Sequence, residues 1–93
     1  MSAMPRIVFT PQLRRLLGEV PDFDAGALVL REALAQAFAA QPRLRSYVLD
    51  DQGHVRANVA IFVDGRRLHD RVRLSDALRP DSVVHVLQAL SGG

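Results

Sequence analysis

Residues 83–93 read VVHVLQALSGG, and the reading of this stretch decides the fold. Val83 to Leu87 is a β-branched and apolar run, suited to a strand inside a sheet. Gln88, Ala89, Leu90 and Ser91 lead away from it, and the sequence closes on Gly92-Gly93. A rigid strand that releases a thin tip without side chains has the form of a plug. The glycine pair takes its meaning from the elements before it, because chain ends are often small and polar in any protein.

Those elements belong to one domain. The 93 residues suffice for a single core of moderate size, read as residues 1–89, with residues 90–93 as a flexible tail. A hydrophobic content of 48% argues for a folded globule. Cysteine is absent, which excludes a disulfide framework, a thiolate nucleophile and a cysteine-based zinc site. No apolar run reaches the length needed to span a bilayer, and MSAMPRIVF lacks the layout of a signal peptide. The expectation is a cytoplasmic protein without a membrane partner.

All twelve basic residues are arginine, and the formal net charge is only +2. The pI near 10.4 overstates the basicity. Without lysine or cysteine, and with Tyr47 the single phenol, little titrates between neutrality and about pH 10. Nucleic-acid binding is therefore not inferred. The missing lysines also exclude a side-chain amine for Schiff-base or general-base chemistry.

Upstream, Arg6 to Thr10 (RIVFT) reads as a first strand ended by Pro11, with Ile7 and Phe9 on one side and Val8 on the other. Both faces of this strand are expected to be covered. In PQLRRLLG, Leu13, Leu16 and Leu17 stand at helical spacing, and Gly18 closes the turn. Pro21 limits residues 19–25 to an edge strand. The clearest element is a helix over residues 28–41, where Leu30, Leu34, Phe38 and Gln41 form a stripe beside Ala33 and Ala37. Pro42 stops it. Residues 43–49 add one turn, with Leu44 and Val48 inward.

Residues 58–63 (NVAIFV) read as a strand with Val59, Ile61 and Val63 on one face and Phe62 on the other. Asp64-Gly65 follows, the favoured two-residue hairpin connection, because both central residues must take positive φ. Ser75 to Leu78 reads as a single helical turn, and Arg79-Pro80-Asp81-Ser82 as a β-turn with proline at its second position. The order strand, strand, helix, hairpin, short turn, strand is that of an α+β β-grasp. One main helix packs on one face of a mixed four- to five-stranded sheet, and the last strand lies parallel beside the first.

Over nearly its whole length the chain resembles the MoaD/ThiS-type small sulfur carriers, which share the ubiquitin-like β-grasp. The resemblance rests on Thr10, Pro11, Leu13 to Leu16 and Gly18 after the first strand, and on Arg31 to Leu34 in the helix. It continues through the FVDG hairpin at Phe62 to Gly65, the turn before the last strand, and Gly92-Gly93. Gln88 stands where the family often has proline, and threonine near the helix start is missing; neither departure touches the tip. The resemblance implies a carrier whose C-terminal carboxylate, on Gly93, is adenylated with ATP by an E1-like enzyme and converted to a thiocarboxylate. A sulfurtransferase or other sulfur donor supplies the sulfur and an acceptor synthase consumes it, in a route of the molybdopterin or cysteine type. No cofactor is bound by the carrier itself, which is a substrate of enzymes rather than an enzyme.

The chemistry of the tip agrees with that role. Leu90, Ser91, Gly92 and Gly93 extended reach roughly 13 Å at about 3.3 Å each. Without Cβ atoms, Gly92 and Gly93 thread where a side chain would collide. Arg14-Arg15 and Arg66-Arg67 could meet an acidic partner surface, although a solvated charge pair is the ordinary reading of such residues. Phe62 is expected to be buried, although the resemblance implies that partners dock on the helix-free sheet face. His85 reads as a strand residue without catalytic company, and His54 and His69 lack a partner at metal-ligand spacing. Two other readings fit the same residues: a ubiquitin-like modifier conjugated through Gly93, and a β-grasp interaction module with an inert tail.

Overall fold

The computed structural model describes residues 4–10, 18 and 21–88. Its strands are β1 (Arg6–Phe9), β2 (Phe23–Asp24), β3 (Val59–Val63), β4 (Arg66–Arg67) and β5 (Val83–Gln88), and its helices are α1 (Leu30–Ala40) and α2 (Arg43–Val48). The strands form one sheet in the order β2-β1-β5-β3-β4. β5 occupies the centre, parallel to β1 and antiparallel to β3. This is the β-grasp expected from the element order, with β2 as the edge strand that Pro21 allows.

Strand alternation sets the two faces of the sheet. Ile7, Phe9, Val59, Ile61, Val84 and Val86 are buried and share one core with Leu30, Ala33, Leu34, Ala37 and Phe38 of α1. The opposite face carries Val8, His85, Phe62 and Arg67 side by side across four strands. Val8 is half-buried rather than covered, so β1 is sealed on its helix side only among the described residues. The apolar stripe of α1 is the one its periodicity predicts, except that Gln41 lies just past the helix and is half-exposed. Leu44 and Val48 of α2 are buried, as expected.

The expected helical turn at 75–78 does not form. The amide N–H groups of Leu30 and Arg31 donate to the carbonyls of Asp76 and Leu74, both at 2.9 Å, and Leu78 donates back to the carbonyl of Leu28 at 2.9 Å. Ala77 also bridges Val29 in antiparallel fashion. Four amides at a helix start lack an internal acceptor, and α1 has no side-chain cap to serve them. The carbonyls of Leu74 and Asp76 take that role, and the Leu78 amide, the donor a local turn would need, is spent on Leu28.

The hairpin forms as its sequence predicts, with φ of 52° at Asp64 and 81° at Gly65. The turn at 79–82 closes with the Ser82 amide on the Arg79 carbonyl at 2.9 Å. The loop between α2 and β3 is stapled by Arg71, whose guanidinium donates to the carbonyls of Arg56 at 2.5 Å and Val59 at 2.9 Å.

Candidate functional site

The sheet's central strand is also the one from which the Gly-Gly sequence departs. β5 is paired with β1 as far as Val86, opposite Phe9, and with β3 as far as Gln88, opposite Val59. The Thr10 amide donates to the Val86 carbonyl at 3.2 Å, tying the exit of β1 to the exit of β5. Gln88 is the last described residue of the strand, and Gly93 stands five positions further on. Two polar atoms at this end, Thr10 Oγ1 and Gln88 Oε1, are buried with no hydrogen-bond partner among the described residues.

At the other end of β5, the Asp64 carboxylate accepts the Val83 amide at 2.9 Å and the Ser82 hydroxyl at 2.7 Å. These bonds stabilise its charged form, so its pKa is lowered, the Val83 amide contributing most and Ser82 next. Arg79 adds its positive charge at 3.6 Å. β5, which precedes Gly92-Gly93 in the sequence, is thus anchored at its start by a carboxylate clamp and paired with two neighbouring strands.

The sheet face away from α1, which carries no helix among the described residues, offers an apolar surface. Leu87 is 37% exposed, and Phe62 and Val8 are half-buried beside the exposed His85. Phe62 is therefore neither fully buried, as expected from its residue type, nor free. Of the other predicted site residues, Arg14, Arg15, Leu90, Ser91, Gly92 and Gly93 lie outside the described residues. Leu87 escaped sequence reasoning, although the alternation of VVHVLQ contained the signal: once Val84 and Val86 point inward, His85 and Leu87 must point outward together. Among the described residues no group of three His, Cys, Asp or Glu side chains is placed to hold a metal ion, and no helix is long and apolar enough to cross a membrane.

No protein-family model matches the sequence, and no curated protein matches it. Solved structures do. Small archaeal modifier protein 1 from Methanosarcina acetivorans aligns over 100% of this chain and 99% of its own, at 17% identity and a TM-score of 0.75. CysO of Mycobacterium tuberculosis aligns over 92% of this chain and 99% of its own, at 18% identity and a TM-score of 0.77. The Amycolatopsis orientalis BexX/CysO complex contains a chain matched over 96% of this chain and 99% of that one, at 11% identity and a TM-score of 0.79. The likeness is one of fold: the chain has the ubiquitin-like β-grasp of these small proteins.

Proposed function

We propose that the chain is a sulfur carrier whose working group is the carboxylate of Gly93. The observation that carries the reading is the placement of β5, which is fixed at the centre of the sheet and followed within five residues by Gly-Gly. A β-grasp shared with CysO and with archaeal modifier proteins supports it.

In this reading an E1-like enzyme binds the domain and draws the tail into its nucleotide site. A carboxylate oxygen of Gly93 attacks the α-phosphorus of ATP, and pyrophosphate leaves. The acyl-adenylate has a good leaving group where the carboxylate had none. Hydrosulfide, or an equivalent sulfide donor, attacks the carbonyl carbon; the C–S bond forms, the C–O bond to AMP breaks, and a thiocarboxylate remains. An acceptor synthase then takes the sulfur and returns the carboxylate. The globule supplies docking surface, for which Phe62 and Leu87 on the helix-free face are the described candidates.

The test is intact mass after incubation with ATP, an activating enzyme of this type and sulfide. Replacement of one oxygen by sulfur supports the carrier. The likeness to small archaeal modifier protein 1 favours conjugation as a second reading, and a ladder of larger protein adducts in the native host would support that instead. An unaltered mass under both conditions would rule out both.

A further inference from the structure

On the helix side of the sheet, a crevice of about 320 Å³ opens between α1, α2 and the Leu74 segment. Its floor is apolar, built from Leu34, Phe38, Leu49 and Leu74, each at least 93% buried. Arg31 of α1 and Arg45 of α2 line it, and no acidic side chain does. Both arginines are exposed, and among the described residues neither guanidinium has a hydrogen bond or ion pair. Elsewhere Arg6, Arg56, Arg71 and Arg79 are engaged, whereas Arg66 and Arg67 on β4 are, like Arg31 and Arg45, without a side-chain partner among the described residues. Two uncommitted cations on separate helices therefore border the same apolar opening.

The wall beside Arg31 is held in an uncommon conformation. Leu74 has φ of 55°, in the left-handed region that a leucine adopts only when its surroundings impose it. Its carbonyl accepts the Arg31 amide, so the residue that caps α1 also closes the crevice next to the Arg31 side chain.

We propose that this crevice is a docking site for an acidic segment of a partner protein. One apolar side chain of the segment enters between Phe38, Leu49 and Leu74, and carboxylates on either side of it pair with Arg31 and Arg45. The volume stands at the lower edge of small-ligand pockets, about 300–1,000 Å³, and suits one leucine- or phenylalanine-sized group. Its charged groups lie on two different helices rather than converging inside, which fits an extended segment better than a compact ligand. Arginine is the residue whose planar fork matches a carboxylate bidentately. The site stands on the helix side, away from the Phe62 and Leu87 face, so both surfaces can be occupied together. It does not depend on the chemistry of Gly93.

The experiment uses the full chain and a fluorescein-labelled peptide with a central leucine between pairs of glutamates, followed by fluorescence polarisation. Saturable binding is expected, weakened about tenfold by the double substitution R31E/R45E and left within about twofold by R66E/R67E, an equal charge change on β4. A peptide with serine for leucine should bind as weakly as the R31E/R45E protein does to the original. Amide shifts on titration should centre on Ala35, Gly53 and Leu74. If R31E/R45E fails to fold by circular dichroism, Ala35→Phe, an exposed position on the crevice edge, serves as the blocking variant. Absence of saturable binding, equal loss in R66E/R67E, or shifts centred on another surface would overturn the proposal.

Discussion

The Asp64 carboxylate accepts the hydroxyl proton of Ser82 at 2.7 Å, although the two residues stand at the ends of different elements. Ser82 is 1% exposed, and its oxygen in turn accepts the Arg79 amide at 2.8 Å. The relay fixes the hairpin turn to the start of β5. Asp64→Ala removes the acceptors of a buried hydroxyl and of the Val83 amide, and places alanine at positive φ. We expect a loss of about 2–3 kcal/mol in urea unfolding. Asp64→Gly should lose less, because glycine accepts φ of 52° without strain. Equal losses would mean that the backbone contributes nothing here.

The same carboxylate sets part of the acid limb of stability. Asp50, Asp64 and Asp70 all have lowered pKa values, each chiefly because a backbone amide donates to the charged form: His54, Val83 and Arg73 respectively. In the unfolded chain these groups protonate near pH 3.9, within about a unit. In the folded protein they resist to lower pH, so between the two values the unfolded state binds more protons and stability rises with pH. The contribution is complete above the unfolded pKa and disappears as pH falls through the folded one. Urea midpoints measured against pH should be level above about pH 5 and decline below about pH 4. Asp64→Asn should flatten the decline; an unchanged slope would remove Asp64 from the account.

Arg71 is a structural cation, for its guanidinium joins the carbonyl of Arg56 at the end of the loop to that of Val59 at the start of β3. Arg71→Met retains the apolar stem but removes this donor, leaving the Arg56 carbonyl with the Val59 amide alone. We expect a loss of about 1–3 kcal/mol, with faster amide exchange at Val55 and Val59. Lysine should rescue only in part, since a point charge cannot reproduce the fork. Full rescue by lysine would reduce the role to charge alone.

How much of this was legible beforehand follows from the range of each interaction. The Asp64-Gly65 turn was readable because positive φ restricts residue choice locally, and α1 because its apolar stripe repeats within the element. The 75–78 segment was not. Its carbonyls cap a helix that starts far earlier in the chain, and nothing in SDAL itself announces a partner at Leu30 or Leu28. The Asp64–Ser82 clamp and the Arg71 staple were hidden for the same reason: each joins residues that only the sheet order brings together. Of the candidate site, the Gly-Gly sequence is legible from residue type and Phe62 only through the family resemblance, whereas Leu87 emerges only when the inward pair Val84 and Val86 fixes the phase of β5.

If the helix-free face docks the activating enzyme, its two apolar residues should separate binding from stability. Leu87 is exposed, so Leu87→Glu should change the unfolding midpoint little while raising the KM for the carrier about tenfold or more. Phe62 is half-buried and pairs His85 in register, so Phe62→Ala should cost about 1–2 kcal/mol as well as weakening binding. Normal activation of Leu87→Glu would place the docking surface elsewhere.

The tail gives the most direct test of the carrier reading. A carboxylate entering a closed nucleotide site must bring its last backbone atoms past the walls of a channel, and a side chain on Gly92 would meet them. Gly92 stands four positions after Gln88, the last residue of β5, and the carrier reading places it outside the folded core. Gly92→Leu should therefore unfold at the wild-type urea midpoint, within about 0.5 kcal/mol. Its thiocarboxylate yield, by intact mass after ATP, activating enzyme and sulfide, should fall at least about a hundredfold, equivalent to about 2.7 kcal/mol of lost transition-state binding. Gly92→Ala should fall between the two, because a single methyl tests the channel width. Wild-type yield from Gly92→Leu would sink the steric argument, and a stability loss matching the loss in yield would assign the effect to the fold instead.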